Sequence, residues 1–196
     1  MSKPKIRPEV EQDSIFPPRG PSGSGVARLY LGVDPGVGGG IAVINSSARS
    51  TVTKPMVQLP TDADLLQWLR GIMREEAEGF AVIEQQVPRP TRWYDKVRGA
   101  WTSSILKSTC LLYADYLRIR MALYAAGIPA EDCPPQRWQK SLDIPPKRDG
   151  EGRTSWKNRL KVHAQRLFPR VKVTLATSDA LLLAEYGRRR YGGREV

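Results

Sequence analysis

Three acidic residues follow or precede apolar runs, at positions where a sheet would end. Asp34 closes the run in "LGVDPG", Glu84 closes the run in "AVIEQQ", and Asp179 stands before the run in "SDALLLAEYGRR". Each of them alone could equally cap a turn or a helix. An ionised carboxylate at a buried strand end is costly unless a cation neutralises it. If the three converge, oxygen-only ligation predicts a site for Mg²⁺, with Mn²⁺ as a substitute.

The turn after Asp34 is almost bare of side chains. Glycine occupies position 36 and positions 38–40 in "DPGVGGG". Glycine permits close approach of a ligand or of another backbone. We therefore expect this turn to leave room for the close approach of a bound group.

Apolar periodicity predicts the elements that would position these acids. The "FAVIE" run is short and fully apolar, which is typical of a central parallel strand. Thr61 begins a helix with acids in its first turn, which we expect to end at Gly79. Strands alternating with helices predict an α/β domain with a mixed sheet. The other predicted strands are 28–34, 40–45, 51–57 and 128–133, and the other predicted helices are 102–126, 134–142, 155–168 and 179–190.

Length and composition predict one domain of ordinary size with short tails. Residues 1–27 are rich in Pro, Gly and Ser and predict a flexible tail, followed by a domain over 28–191 and a C-terminal tail over 192–196. No stretch resembles a secretory signal or the ~20 apolar residues of a membrane span, so we expect a cytoplasmic protein. Two cysteines without CxxC spacing and a single histidine exclude a Cys/His zinc site.

The chain is strongly basic. It has 31 Lys and Arg against 20 Asp and Glu, a net charge of +11. A soluble basic surface is one reading, but clustered cations favour nucleic acid as the partner. A polar, aromatic loop after Glu84 and a mobile basic loop, "IPPKRDGEGRTS", have the residues for phosphate contacts and base stacking. The candidate DNA-binding residues are Arg89, Arg92, Trp93, Tyr94, Lys96, Arg98, Lys140, Lys147 and Arg148.

The three acidic motifs, in this order and spacing, resemble the RuvC family of Holliday junction resolvases in the RNase H-like superfamily. The bacteriophage and plant chloroplast branches are the nearest in pattern, and the likeness runs from about residue 29 to Gly187. The resemblance implies an RNase H-like mixed five-stranded sheet with helices on both faces. It also implies an Mg²⁺-dependent endonuclease that resolves four-way junctions by two-metal hydrolysis. Asp34, Glu84 and Asp179 would be the catalytic metal ligands, and Lys157 would contact the scissile phosphate.

The helix predicted over residues 102–126 has two apolar stripes. One contains Leu112 and Ile119, and the other contains Cys110, Tyr113 and Leu117. A single stripe suffices for packing on a sheet, so the second predicts a partner. The family resemblance implies that this partner is a second copy of the chain.

One departure from the family pattern leaves rival functions open. The family usually has a fourth acidic or histidine ligand three or four residues before the position of Asp179, where this chain has Leu175 and Ala176. A junction-binding protein that cleaves weakly or not at all is therefore one alternative. Another RNase H-like nuclease, such as a transposase or an RNA–DNA hybrid hydrolase, is a second.

For a resolvase of this kind, we expect the protein to be located at the nucleoid, or in the host cytoplasm if it comes from a phage.

Overall fold

A computed structural model describes residues 27–47, 49–73, 77–87, 91–95, 97, 99–104 and 107–192. The strands are β1 Ala27–Asp34, β2 Gly40–Asn45, β3 Ser50–Pro55, β4 Ala77–Glu84, β5 Thr91–Asp95, β6 Ala100–Ser104 and β7 Ala130–Cys133. The helices are α1 Asp62–Ile72, α2 Lys107–Ala125, α3 Pro135–Ser141, α4 Arg153–Leu167 and α5 Ser178–Tyr191, with a 3₁₀ turn at Met56–Gln58.

Five strands form one mixed sheet in the order β3-β2-β1-β4-β7. The first three strands are antiparallel neighbours, whereas β4 runs parallel to both β1 and β7. This arrangement confirms the predicted mixed five-stranded sheet. Val33 pairs with Ile83, so the next residues, Asp34 and Glu84, leave two adjacent parallel strands at the same edge.

Helices cover both faces of the sheet, as predicted. Leu31, Val33 and Ile83 point towards α1 and α2, while alternate residues such as Val82 point towards α3, α4 and α5. This alternation follows from the two-residue period of a strand. Asp34 and Glu84 have the same parity as Val82, which belongs to the core between the sheet and the helices α3, α4 and α5. Both acids therefore belong to the α5 face.

The start of α5 lies directly against the central strand β1. A Cβ added at Gly32 would stand 2.0 Å from the carbonyl oxygen of Ala180 and 2.2 Å from the amide nitrogen of Ala184. A side chain at position 32 would therefore push the helix away from the sheet. Glycine here is what allows Asp179, one residue before Ala180, to approach the end of β1.

Several predicted boundaries were wrong. The segment expected to be a loop after Glu84 contains the hairpin β5–β6, and α2 begins at Lys107 rather than at residue 102. Alternating aromatic and β-branched residues, as in "TRWYD" and "AWTSS", favour strands there. The helix α1 ends at Ile72, and Gly79 lies within β4. The helix α4 begins at Arg153, two residues earlier than expected.

The predicted tails lie almost entirely outside the described residues, so the domain division stays a prediction. Among the described residues, no helix combines the length and apolar character that crossing a membrane requires.

Candidate metal centre

The structure brings Asp34, Asp179 and Lys157 into direct contact. Asp34 ends β1, and Asp179 is the second residue of α5; both are buried. Lys157 reaches them from the second turn of α4. Its Nζ lies 3.3 Å from Asp34 Oδ2 and 2.5 Å from Asp179 Oδ2, donating a hydrogen bond to each. One ammonium group thus bridges two carboxylates that come from different elements.

Glu84 belongs to the same electrostatic cluster. It ends β4, the strand beside β1, and is half-buried. Burial raises the pKa of Glu84 most, the charges of Asp34 and Asp179 raise it as well, and Lys157 opposes them, with a resulting value of about 8. Because Asp34 and Asp179 both act on Glu84, the three acids lie near one another, and their convergence on a metal ion stays a prediction.

The cluster has too little positive charge for its acids. Burial raises the pKa of Asp34 to about 6; Lys157 opposes this, Asp179 adds to it, and Arg153 opposes it weakly. The pKa of Lys157 is itself raised, because Asp34 and Asp179 outweigh the effect of burial. Near neutral pH the site therefore holds protons that a bound divalent cation would displace.

The glycines after Asp34 serve mainly internal packing, which corrects the expectation of a bare turn. Gly36 has φ +98°, a conformation that glycine adopts readily. A Cβ at Gly39 would lie 2.0 Å from the carbonyl oxygen of Asp34, and one at Gly40 would lie 2.8 Å from that of Ala176. Of the glycines in this turn, only Gly38 has open space where a side chain would be, within the described part of the chain.

The turn before α5 explains how Asp179 is oriented. The helix begins at Ser178, so Leu175 and Ala176 lie in the preceding turn rather than on a shared helical face with Asp179. Ser178 is buried, and its Oγ lies 3.0 Å from Asp179 Oδ1, to which it donates a hydrogen bond. Sequence analysis missed this role, because a serine beside an acid gives no signal until the helix start is known.

The donor set suits a hard divalent cation, although no cage is preformed. Asp34, Glu84 and Asp179 offer only carboxylate oxygens, which Mg²⁺ and Mn²⁺ prefer. Among the described residues, no group of three Asp, Glu, His or Cys side chains is arranged to hold a metal ion. The Lys157 ammonium lies between Asp34 and Asp179 and acts as the cation of the cluster. The chemistry of these oxygens fits a divalent cation, which would have to replace the ammonium contacts.

The predicted basic loop is folded back on α4 by one arginine. Arg159 donates to the carbonyl oxygens of Pro145 and Pro146 at 3.2 and 2.9 Å and to both carboxylate oxygens of Glu151. Glu151 also accepts the backbone N–H of Arg148 at 3.0 Å. Glu151 is therefore occupied in holding the loop that presents Lys147 and Arg148, both exposed.

The remaining predicted DNA-binding residues differ in how much of them the structure describes. Lys140 is exposed near the end of α3. Arg92, Trp93 and Tyr94 lie in β5, where the structure describes the backbone and not the side chains. Arg89, Lys96 and Arg98 lie outside the described residues. Sequence analysis overlooked Arg153, which lies one helical turn before Lys157 and acts on Asp34.

Comparisons with known proteins give only a distant structural likeness. No protein-family model matches the chain, and no curated protein matches it. A structure of RuvC from Thermus thermophilus matches with 14% identity and a TM-score of 0.47, covering 85% of this chain and 96% of the other. A structure of T. thermophilus RuvC with a Holliday junction substrate matches with the same identity and coverage and a TM-score of 0.49. These values give no information on the activity of this chain.

Proposed function

We propose that the chain is a structure-specific endonuclease that hydrolyses phosphodiester bonds in branched DNA, with four-way junctions as its preferred substrate. The observation that carries this proposal is the cluster of three carboxylates at one sheet edge, two buried and one half-buried, with a single lysine in contact with the buried pair. A purely structural cluster would be expected to balance its charges. An excess of buried carboxylates suits a site that functions with a divalent cation.

Asp34, Glu84 and Asp179 are the residues that would hold this cation. A bound Mg²⁺ would supply an activated water and stabilise charge on the leaving oxygen. Lys157, released from the two aspartates, is free to donate to an oxygen of the reacting phosphate group and to offset its developing charge. Ser178 keeps the Asp179 carboxylate in a fixed orientation through its hydrogen bond.

Basic residues on α3, on α4 and in the loop between them support DNA as the substrate. Arg153 lies near Asp34, and within the described ranges it forms no ion pair. The loop held by Arg159 adds Lys147 and Arg148, and Lys140 lies on α3. Together with the net charge of +11, these cations favour a polyanion bound across the carboxylate edge.

An exposed apolar face on α2 supports a homodimer, which two symmetric cuts in a junction require. Leu117, Met121 and Tyr124 are 45%, 64% and 66% exposed, and Cys110 lies on the same face. Leu117 and Cys110 belong to the second predicted stripe, whereas Ile119 of the first stripe is buried in the core. Leu117→Glu should convert dimers into monomers in light scattering. A wild-type monomer at micromolar concentration would contradict the homodimer.

Cleavage of synthetic DNA tests the proposed activity. A labelled four-way junction, a linear duplex of the same sequence and an RNA–DNA hybrid are incubated with the protein in Mg²⁺, in Mn²⁺ or in EDTA. We expect paired cuts in the junction only, with metal, and none with Asp34→Asn. Cleavage of the hybrid in preference to the junction would instead identify another RNase H-like nuclease.

A non-cleaving junction-binding protein is the second candidate. The observation that favours it is Lys157, which forms ion pairs with two of the three carboxylates and so occupies oxygens that a metal ion would use. In the same assay this candidate predicts a retarded junction band in Mg²⁺ and in EDTA alike, with no product.

A further inference from the structure

Trp138 is a buried side chain with an unused hydrogen-bond donor. It lies in α3, is 0% exposed, and packs in the core between the sheet and α5. Its indole Nε1 is shielded from solvent and has no hydrogen-bond partner among the described residues. Leaving a buried donor unpaired is costly, so such a group is expected to have a partner in some state of the protein.

The chain topology places Trp138 beside Glu84. Glu84 pairs with Cys133 across β4 and β7, and α3 begins two residues after Cys133. The indole N–H acts on the Glu84 carboxylate and lowers its pKa, although burial dominates and the contact is not a full hydrogen bond in this structure. An indole can only donate, so this contact favours the carboxylate over the carboxylic acid.

We propose that Trp138 is a positioning residue for Glu84, donating its indole N–H to one carboxylate oxygen when the other oxygen takes up a divalent cation. The inference rests on the proposed function in one respect, namely that Glu84 is a metal ligand. A rigid, fully packed donor fixes the carboxylate direction without being able to bind the cation itself. Such supporting hydrogen bonds typically change metal affinity by about 10- to 100-fold.

Tyr186 offers a matched control within the same core. Its hydroxyl is also buried and without a hydrogen-bond partner among the described residues. It lies beside the Cys133 thiol, and it is not among the groups that act on Glu84. Trp138→Phe and Tyr186→Phe therefore each remove one buried donor and keep an aromatic ring, but only the first removes a donor aimed at the carboxylate cluster.

Calorimetric titration with Mn²⁺ in the absence of DNA separates the two variants. We expect the dissociation constant for Mn²⁺ to rise about tenfold in Trp138→Phe and to stay unchanged in Tyr186→Phe. Equal affinities in wild type and Trp138→Phe would overturn the inference, and so would equal losses in both variants. If the wild type binds no Mn²⁺, the proposed function fails, and the following measurement alone decides the role of Trp138.

The indole N–H resonance reports on the contact without metal or catalysis. In ¹⁵N-labelled protein, the Trp138 signal is assigned as the indole resonance that disappears in Trp138→Phe. If that variant does not fold, a label placed only at Trp138 assigns the same resonance. We expect this resonance to move upfield in Glu84→Ala, because the nearby carboxylate that polarises the N–H bond is removed, and to keep its position in Tyr186→Phe. An unchanged resonance in Glu84→Ala would overturn the inference.

Discussion

The helix α5 holds two buried carboxylates with opposite surroundings. Asp179, in its first turn, is 3% exposed and shares one ammonium, that of Lys157, with Asp34. Glu185, nearly two turns later, is 5% exposed and accepts hydrogen bonds from Arg188 and Arg189 at 2.7–2.9 Å. The first group has an excess of acids and the second an excess of cations.

The comparison shows that burial by itself does not mark a functional acid. Burial alone would raise the pKa of Glu185, yet hydrogen bonds from Arg188 and Arg189 hold it below its ordinary value. In the other cluster, burial and the neighbouring acids raise the pKa of Asp34 to about 6 and that of Glu84 to about 8. One lysine opposes these increases and does not compensate three acids. The missing positive charge is what distinguishes a site that binds a cation from an internal ion pair.

The largest effect is expected for Asp34→Asn. Removing this ligand should reduce junction cleavage by about 1,000-fold, because water activation and charge stabilisation both depend on the cation. Binding of the junction should persist, since the substitution also removes a negative charge that repels DNA. Gel-shift and cleavage assays on the same junction measure both properties, and near-normal turnover would remove Asp34 from the site.

The pH dependence of stability provides the next test. The pKa of Glu84 is about 8 in the folded protein against an ordinary 4.5, so the native state retains a proton that the unfolded chain has lost. Stability must therefore fall as the pH rises towards about 8. Between pH 6 and 8 we expect a loss of about 2 kcal/mol in the free energy of unfolding, measured by urea denaturation.

Glu84→Gln is the matched control for this decline. The single histidine, His163, cannot cause such a decline, because burial lowers its pKa and its titration therefore raises stability as the pH rises. The variant should therefore show a nearly flat stability between pH 6 and 8. An equal decline in wild type and variant would contradict the raised pKa of Glu84.

Glu185→Gln should affect stability and leave the metal site intact. It removes the carboxylate that both arginines contact, but Arg188 and Arg189 are 43% and 42% exposed, so water compensates part of the loss. We expect a decrease of about 1–2 kcal/mol in the free energy of unfolding. Unchanged cleavage at a temperature where the variant is folded completes the contrast with Asp179→Asn.

The smallest effect is expected in the basic loop. Glu151→Gln weakens the contacts to Arg159, so Lys147 and Arg148 lose a fixed position and junction affinity should fall about threefold. Asp149→Asn is the control, because Asp149 is exposed in the same loop and loses the same charge. If charge alone matters, both variants should bind more tightly, as fluorescence anisotropy would show.

The sequence predicted the acids better than their neighbours. Asp34 and Glu84 could be identified because apolar runs end there, and parallel pairing of β1 with β4 brings both to one edge. The contact of Lys157 with both aspartates depends on how α4 packs, which no local pattern specifies. The hairpin β5–β6 was mistaken for a loop because its charges and the two prolines that precede it outweighed the strand propensity of its Thr, Trp and Tyr residues.

The most direct test of the account compares two substitutions on α5 by calorimetric titration with Mn²⁺. Asp179→Asn and Glu185→Gln each replace a buried carboxylate with an amide on the same helix. The account predicts that wild type and Glu185→Gln bind Mn²⁺ with the same affinity, whereas Asp179→Asn loses binding by at least about tenfold. Equal affinity in both variants, or no binding by the wild type, would contradict the assignment of the under-neutralised cluster as a metal site.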